Sequence, residues 1–399
     1  MKRTRLTTAA ITLGVAGALV LAGCTKKNEA DTSAGAGGGD TGAATTTENA
    51  GGAAGSAGAS AAGGAGSAAG SAAQGSAAGS GSAGAAGAGS VEKASKNFKV
   101  AFVPKLQGIP YFEAMNAGGK QAASDMGVTW LYQGPTQADA AAQADIVRNL
   151  IQQKVDALFI APNDPGSMAP VIQQGIDGGI KVGTSDTDAP DSARQVFVSQ
   201  ASTEGIGQGL TDELMKAMGN KGKYAIVSCG ETAENLNSWI KVQQAYTKEK
   251  YPDAEIVDVV YAGEDVAKAT QMATDLMNAN PDLTGLVGEC TSSAPGVAQA
   301  VKDAGKIGKV FTVGLGTPQT MAPYLKDGSS SASVLWDVQA LGYLTVWAGV
   351  QMAEGKEFAA KPEIGTDNLK DVSYDAATKT LLLGPPLVLT KDNVDNYNF

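Results

Sequence analysis

DALFIAPNDPGSMAPVIQQGIDGGIKVGTSD, residues 156–186, decides the fold. Asp156 to Ala161 is a short apolar run that reads as a buried strand. Pro165 to Asp177 reads as a helix, and Ile180 to Thr184 as a second strand. A strand, a helix and a strand in this order predict parallel pairing with the helix laid over the sheet. The same grammar extends upstream. Phe98 to Val103 reads as a buried strand, followed by an amphipathic stretch to Met126. A strand over Val128 to Tyr132 follows, then a helix over Asp139 to Lys154, where Ile146, Val147, Leu150 and Ile151 recur at helical spacing.

The pattern restarts after Gln200. Helices are predicted over 203–218, 235–250, 266–278 and 294–304, alternating with strands over 223–228, 256–261, 283–288 and 310–314. A long apolar helix over Gln339 to Met352 follows, and a terminal strand pair over Leu381–Leu389 is broken by Gly384-Pro385-Pro386. The fold class is α/β: two doubly wound parallel-sheet lobes joined by a hinge. The expected first lobe is 96–201 plus 338–365, and the second is 202–337 plus 366–399.

Ahead of these lobes stands a different kind of sequence. Lys2, Arg3 and Arg5 precede a short apolar run that ends in Leu21-Ala22-Gly23-Cys24. A basic start, an apolar stretch short for a membrane span and small residues before a Cys read as an export signal over 1–23. The order resembles the lipobox of bacterial lipoproteins, with Cys24 as the residue that takes lipid; the alternative is an ordinary cleaved signal with an incidental Cys. From about Ala30 to Ser90 the chain is almost wholly Gly, Ala and Ser. Such a segment has too little to bury to offset its ordering entropy, so 24–95 is expected to be lipidated Cys plus flexible tether. Coil statistics give about 60 residues of this kind a span of roughly 40–45 Å.

Composition narrows the function. The formal net charge is -10 and no Lys/Arg cluster lies beyond the leader and its Lys26-Lys27 flank, which argues against a nucleic-acid partner. The chain has no His. That removes Ser-His-Asp and Cys-His catalysis and His-ligated metal sites. Asp and Glu occur without metal-loop spacing, and no Gly-x-Gly-x-x-Gly opens a helix, so neither metal nor cofactor is expected.

In open α/β sheets ligands bind beyond the carboxyl ends of the strands. The residues there include Lys105, Asn163-Asp164, Asp186, Asn235, Glu289, Thr291, Trp336 and Asp337. They are rich in hydrogen-bonding groups and short of nucleophile–base pairs, which describes a binding surface and not an obvious catalytic one, although carboxylate-only catalysis stays open; no enzyme is expected. Asp186 can accept two hydrogen bonds from vicinal hydroxyls, whereas Asp188, before Ala189-Pro190, suits a turn. Tyr111 and Phe112 follow the first strand; one can stack on the C–H face of a sugar or serve as core, and adjacent positions on a helix are not expected to face inward together. Trp336-Asp337 offers a second stacking-and-acceptor pair, or a core Trp with a hinge residue. Cys229 and Cys290 each end a strand of the second lobe. In a 2-1-3-4 order those strands are neighbours, which leaves two readings: a disulfide, or two buried thiols.

From Phe98 to Phe399 the chain resembles the type I periplasmic sugar-binding proteins, nearest the branch of autoinducer-2-binding and rhamnose-binding receptors of ABC importers. The resemblance is carried by Ala-Phe-Val-Pro-Lys (101–105), Gln-Gly-Pro-Thr (133–136), Ser-Asp-Thr-Asp (185–188), Leu-Trp-Asp-Val (335–338) and the ending from Lys391 to Phe399. It implies lobes joined by crossovers near 200–203, near Asp337 and around 365, closing on one ligand and presenting the closed form to a permease. Lys105, Asp186, Trp336 and Asp337 match the autoinducer-2 receptors. Asn235-Leu236 stands where those have Asp-Gln, and Glu289 and Thr291 where they have Pro and Ala. These departures point to another polar ligand, such as a monosaccharide or small polyol. Expected, then, is a monomeric receptor, exported and lipid-anchored to the outer face of the membrane. The alternatives are an autoinducer-2 receptor for uptake or quorum signalling and a sensor presenting its ligand to a membrane kinase.

Overall fold

The computed structural model describes residues 91–399. The export signal, Cys24 and the tether up to residue 90 lie outside the described residues. Residues 91–95, counted above with the tether, are packed on the first lobe. Ala94 N–H donates to Met126 O at 2.9 Å, Ser95 N–H to Glu354 at 2.6 Å, and Val91 and Ala94 touch the core. Val91 is the first aliphatic residue after the Gly/Ala/Ser run, and it gives the chain something to bury.

The first lobe is built from β1 (Lys99–Val103), α1 (Pro110–Met126), β2 (Thr129–Tyr132), α2 (Ala140–Gln152), β3 (Ala157–Ile160), α3 (Pro165–Asp177), β4 (Lys181–Ser185) and β5 (Phe197–Ser199). The second contains α4 (Thr203–Met218), β6 (Gly222–Ser228), α5 (Glu234–Lys250), β7 (Ala254–Tyr261), α6 (Val266–Ala279), β8 (Leu283–Gly288), α7 (Ser293–Asp303), β9 (Phe311–Gly314), α8 (Pro318–Asp327) and β10 (Ala332–Leu335). The chain then returns through α9 (Val338–Ala353), β11 (Ser373–Asp375) and β12 (Thr380–Leu382), and ends beyond β13 (Leu387–Leu389).

The sheets run β11-β12-β5-β4-β3-β1-β2 and β13-β10-β9-β8-β6-β7. Both cores are parallel, with Phe102 opposite Tyr132 and Phe159 in the first lobe, and Val227 opposite Val260 and Gly288 in the second. All four residues of β3 are buried, as expected of a strand covered on both faces. Asp139, Asp164, Ser202 and Asp265 each cap a helix, accepting first-turn N–H groups that lack intrahelical partners. Nearly every residue of α9 is buried, so this helix is core throughout and carries no solvent stripe. It lies against α1, and the close approach uses glycines: a Cβ on Gly118 would strike Gln339 O, and one on Gly342 would strike Met115 O.

The division of the C-terminal segment departs from expectation. Residues 373–382 belong to the first sheet: β12 pairs in parallel with β5, with Leu381 opposite Val198, and β11 pairs with β12. Only β13 joins the second sheet, antiparallel to β10. The third crossing is therefore the segment from Leu383 to Leu387, not one around 365. Pro385 and Pro386 carry no N–H and cannot continue a ladder, so the chain leaves one sheet there and enters the other. The expected terminal strand pair is consequently split between lobes.

Candidate functional site

The carboxyl ends of the two parallel sheets face each other and enclose a chamber of about 40 Å³. The first lobe contributes Lys105 after β1, Tyr111 and Phe112 from the first turn of α1, and Asp186 after β4. The second contributes Asn235 on α5, Glu289 and Thr291 after β8, and Trp336 after β10.

Asp186 organises the first-lobe wall. It is 3% exposed, and its backbone is left-handed at φ 72°, a conformation Asp tolerates better than most residues. Tyr111 OH donates to its Oδ1 at 2.6 Å, Thr187 OH to its Oδ2 at 3.1 Å, and Gln200 Nε2 to its carbonyl at 2.7 Å and to Oδ1 at 3.3 Å. Burial raises the Asp186 pKa; the nearby Lys105 charge and the Tyr111 and Thr187 hydrogen bonds oppose that rise. The Tyr111 hydroxyl is itself pushed well above its ordinary range, by burial first and then by the Asp186 charge.

Lys105 extends from the first lobe and its Nζ donates to Asn235 Oδ1 at 2.9 Å. The lobes also meet where Thr232 OH donates to the Asn163 carbonyl at 2.9 Å, so they are in direct contact across the cleft. Trp336 Nε1–H donates to Tyr111 OH at 3.2 Å, with the two rings edge to face at 5.9 Å. Trp239, one turn beyond Asn235 on α5, packs 5.8 Å from Trp336.

Glu289 has no exposed surface. Gln243 Nε2 lies 2.7 Å from each of its carboxylate oxygens, and burial pushes its pKa up to about 8 against the effect of that amide. Gln243 Oε1 is buried with no donor. A proton on Glu289 would supply one, with the amide turned so that acid and amide hydrogen-bond reciprocally. Burial thus favours the neutral form of this acid, which Gln243 of α5 holds at the back of the chamber.

Two expectations about individual residues change. Asp337 does not line the chamber: its carboxylate accepts the Ala340 N–H at 2.8 Å and caps α9. Tyr111 and Phe112 are both buried, at 5% and 2% exposure. Phe112 packs on Phe102, while Tyr111 faces Asp186; the helix start is covered on both sides because it lies between the lobes. Asp188 does serve a turn, accepting the Ala189 N–H at 2.8 Å. It also holds Arg194 in a bidentate pair with both contacts at 2.6 Å.

Glu264, Trp239 and Ile109 also line the chamber and escaped the sequence reading; Leu236 and Leu315, which follow strand ends, line it too. Glu264 was recoverable, since it follows the end of β7 and obeys the same strand-end rule. It accepts the Ser292 hydroxyl at 2.7 Å, and burial raises its pKa against the Lys105 charge and that hydrogen bond. Cys229 and Cys290 are bonded sulfur to sulfur, with Cα atoms 6.1 Å apart, within the span disulfides use. Glu264 stands within 4.8 Å of both sulfurs, but bonded sulfurs are not thiolate ligands, so this trio holds no metal while the bond stands.

A family profile described as periplasmic binding protein domain matches residues 100–357. The D-ribose/D-allose-binding protein of Pseudomonas aeruginosa is 30% identical over 201 residues, 48% of this chain and 61% of that protein, so the chain spans less than two thirds of this relative's length. LsrB from Clostridium saccharobutylicum in complex with AI-2 superposes with a TM-score of 0.70 at 27% identity, covering 75% of this chain and 100% of that one. An ABC transporter solute-binding protein from Clostridium phytofermentas with bound L-rhamnose gives a TM-score of 0.70 at 27% identity, covering 76% and 98%.

Proposed function

Because the chain belongs to the periplasmic binding protein domain family, with the type I two-lobed fold, we propose that it is the solute receptor of an ABC importer that captures a monosaccharide or similar small polyol by closure of its lobes. The family is one of binding proteins and not enzymes. The observation that carries the ligand class is the buried Asp186 carboxylate in a chamber that sets aromatic rings beside the polar side chains of Lys105 and Asn235. A buried acceptor beside Lys105 suits vicinal hydroxyls, and Tyr111, Trp336 and Trp239 offer faces or edges to the C–H side of a sugar ring. Contacts from both lobes to one ligand favour the closed state, which a permease then recognises.

The relatives named above bind ribose or allose, AI-2 and L-rhamnose, which supports a small polyol without naming it. Autoinducer-2 is the second reading, supported by Lys105 and Asp186; against it stand Asn235, Glu289 and Thr291. We place the receptor outside the cell membrane as a monomer tethered through lipid on Cys24. Titration calorimetry with a monosaccharide panel and with the borate and non-borate forms of autoinducer-2 tests the ligand: sub-micromolar binding of autoinducer-2 with no response to any sugar would reverse the order of the two readings. Metabolic labelling with palmitate, lost in Cys24→Ala, tests the anchor.

A further inference from the structure

A second chamber, of about 140 Å³, adjoins the first and shares with it Ile109, Tyr111, Glu264 and Thr291. It leads outward between the start of α1 and the starts of α6, α7 and α8. Its further walls include Pro110 from the first lobe and Val266 and Pro295 from the second. Val266 is 46% exposed, one of the two large exposed hydrophobics among the described residues.

Most of the polar groups here are already engaged by the protein. Ser292 OH donates to Glu264, Thr317 and Thr320 share a hydrogen bond at 2.9 Å, and Tyr111 OH donates to Asp186. What is left facing the space is mainly aliphatic, from Ile109, Pro110, Val266 and Pro295, with the Thr291 hydroxyl and the second oxygen of Glu264 at the border with the inner chamber. The inner chamber, by contrast, offers charged and amide groups and has less than a third of the volume.

From this continuity and contrast we infer that the outer chamber is a subsite for an apolar substituent on the ligand, so that the receptor takes a polyol ring or chain carrying a short alkyl group, as in an alkyl glycoside. This rests on the small-polyol reading of the inner chamber. The polyol end meets Asp186 and Lys105, and the alkyl end passes between Ile109 and Val266.

A homologous series of 1,2-alkanediols, from ethane-1,2-diol to hexane-1,2-diol, tests this by NMR titration of the intact protein. The diol head presents vicinal hydroxyls and the tail grows into the outer chamber. Wild-type affinity is expected to rise about fourfold for each methylene that enters an apolar site. Val266→Asp, at an exposed first-turn position where an acid suits the helix end, should flatten that rise. A flat series in the wild type, or an equal rise in the variant, overturns the subsite. Matched pairs of free sugars and their propyl glycosides, measured by calorimetry, separate the two ideas. If no sugar binds but the diol series climbs, the sugar reading falls and the subsite stands; if sugars bind and their propyl glycosides bind tenfold more weakly, the subsite falls alone.

Discussion

Lys105 Nζ, from the first lobe, stands 2.9 Å from Asn235 Oδ1, from the second. This hydrogen bond crosses the cleft and is charge-assisted, and both side chains are buried. It stabilises the closed form and positions the ammonium beside the Asp186 carboxylate, whose ionised state that ammonium favours. Hydrogen bonds to charged groups contribute about 1.5–3 kcal/mol. Asn235→Ala should therefore weaken ligand binding by roughly 10- to 100-fold and enlarge the radius of gyration of the unliganded protein in X-ray scattering. An unaltered Kd together with an unaltered scattering profile would mean that the bond has no part in closure.

Asp186 is best probed with Asn. An alanine there would have to adopt the same positive φ, 72°, whereas Asn accepts it readily, so Asp186→Asn changes the chemistry and spares the backbone. The variant should keep the wild-type circular dichroism spectrum and lose at least tenfold in affinity for whichever polyol binds, because one acceptor oxygen becomes a donor. Calorimetry showing the same affinity in both proteins would place the polyol end of the ligand elsewhere.

The sequence exposed this wall because each residue follows a strand, and strand ends face the cleft in such folds. Lys105, Asp186 and Trp336 were legible for that reason. Asp337 was not: a carboxylate beside a strand end also starts a helix, and only the position of α9 shows that it caps Ala340. The role of Gln243 was illegible, since it lies mid-helix on α5 and meets Glu289 only when α5 packs against the end of β8. The path of the last segment was also hidden. Strands β11 and β12 are three residues each, too short for periodicity, and their pairing with β5 is a tertiary fact.

The Cys229–Cys290 bond joins the ends of β6 and β8, strands adjacent in the second sheet, across a separation of 61 residues. Cross-linking a loop of this size restricts the unfolded chain and typically contributes about 2–4 kcal/mol. The double variant Cys229→Ser/Cys290→Ser should unfold at a lower denaturant midpoint with that loss of stability. Thr291 and Glu289 flank one end of the bond, so ligand affinity should fall as well. Recovery of both cysteines as free thiols from a non-reduced, alkylated digest would remove the basis for this.

Glu289 makes stability depend on pH in a direction its position dictates. Its pKa rises from the ordinary 4.5 to about 8 in the folded protein. Between those values the folded state keeps a proton that the unfolded chain gives up, so unfolding releases a proton. Stability contributed by this group is complete below about pH 4.5 and declines as pH rises toward 8, by up to about 1.4 kcal/mol per pH unit. Burial also raises the Asp186 and Glu264 values, which adds slope of the same sign, but those groups are common to wild type and variant and cancel in the difference. Glu289→Gln keeps the shape, stays neutral in both states and can still exchange two hydrogen bonds with Gln243. Its melting temperature relative to wild type should therefore climb steadily from pH 5 to pH 8. Parallel melting curves across that range would show that Glu289 is ionised in the folded protein, and that Gln243 alone offsets the burial of its charge.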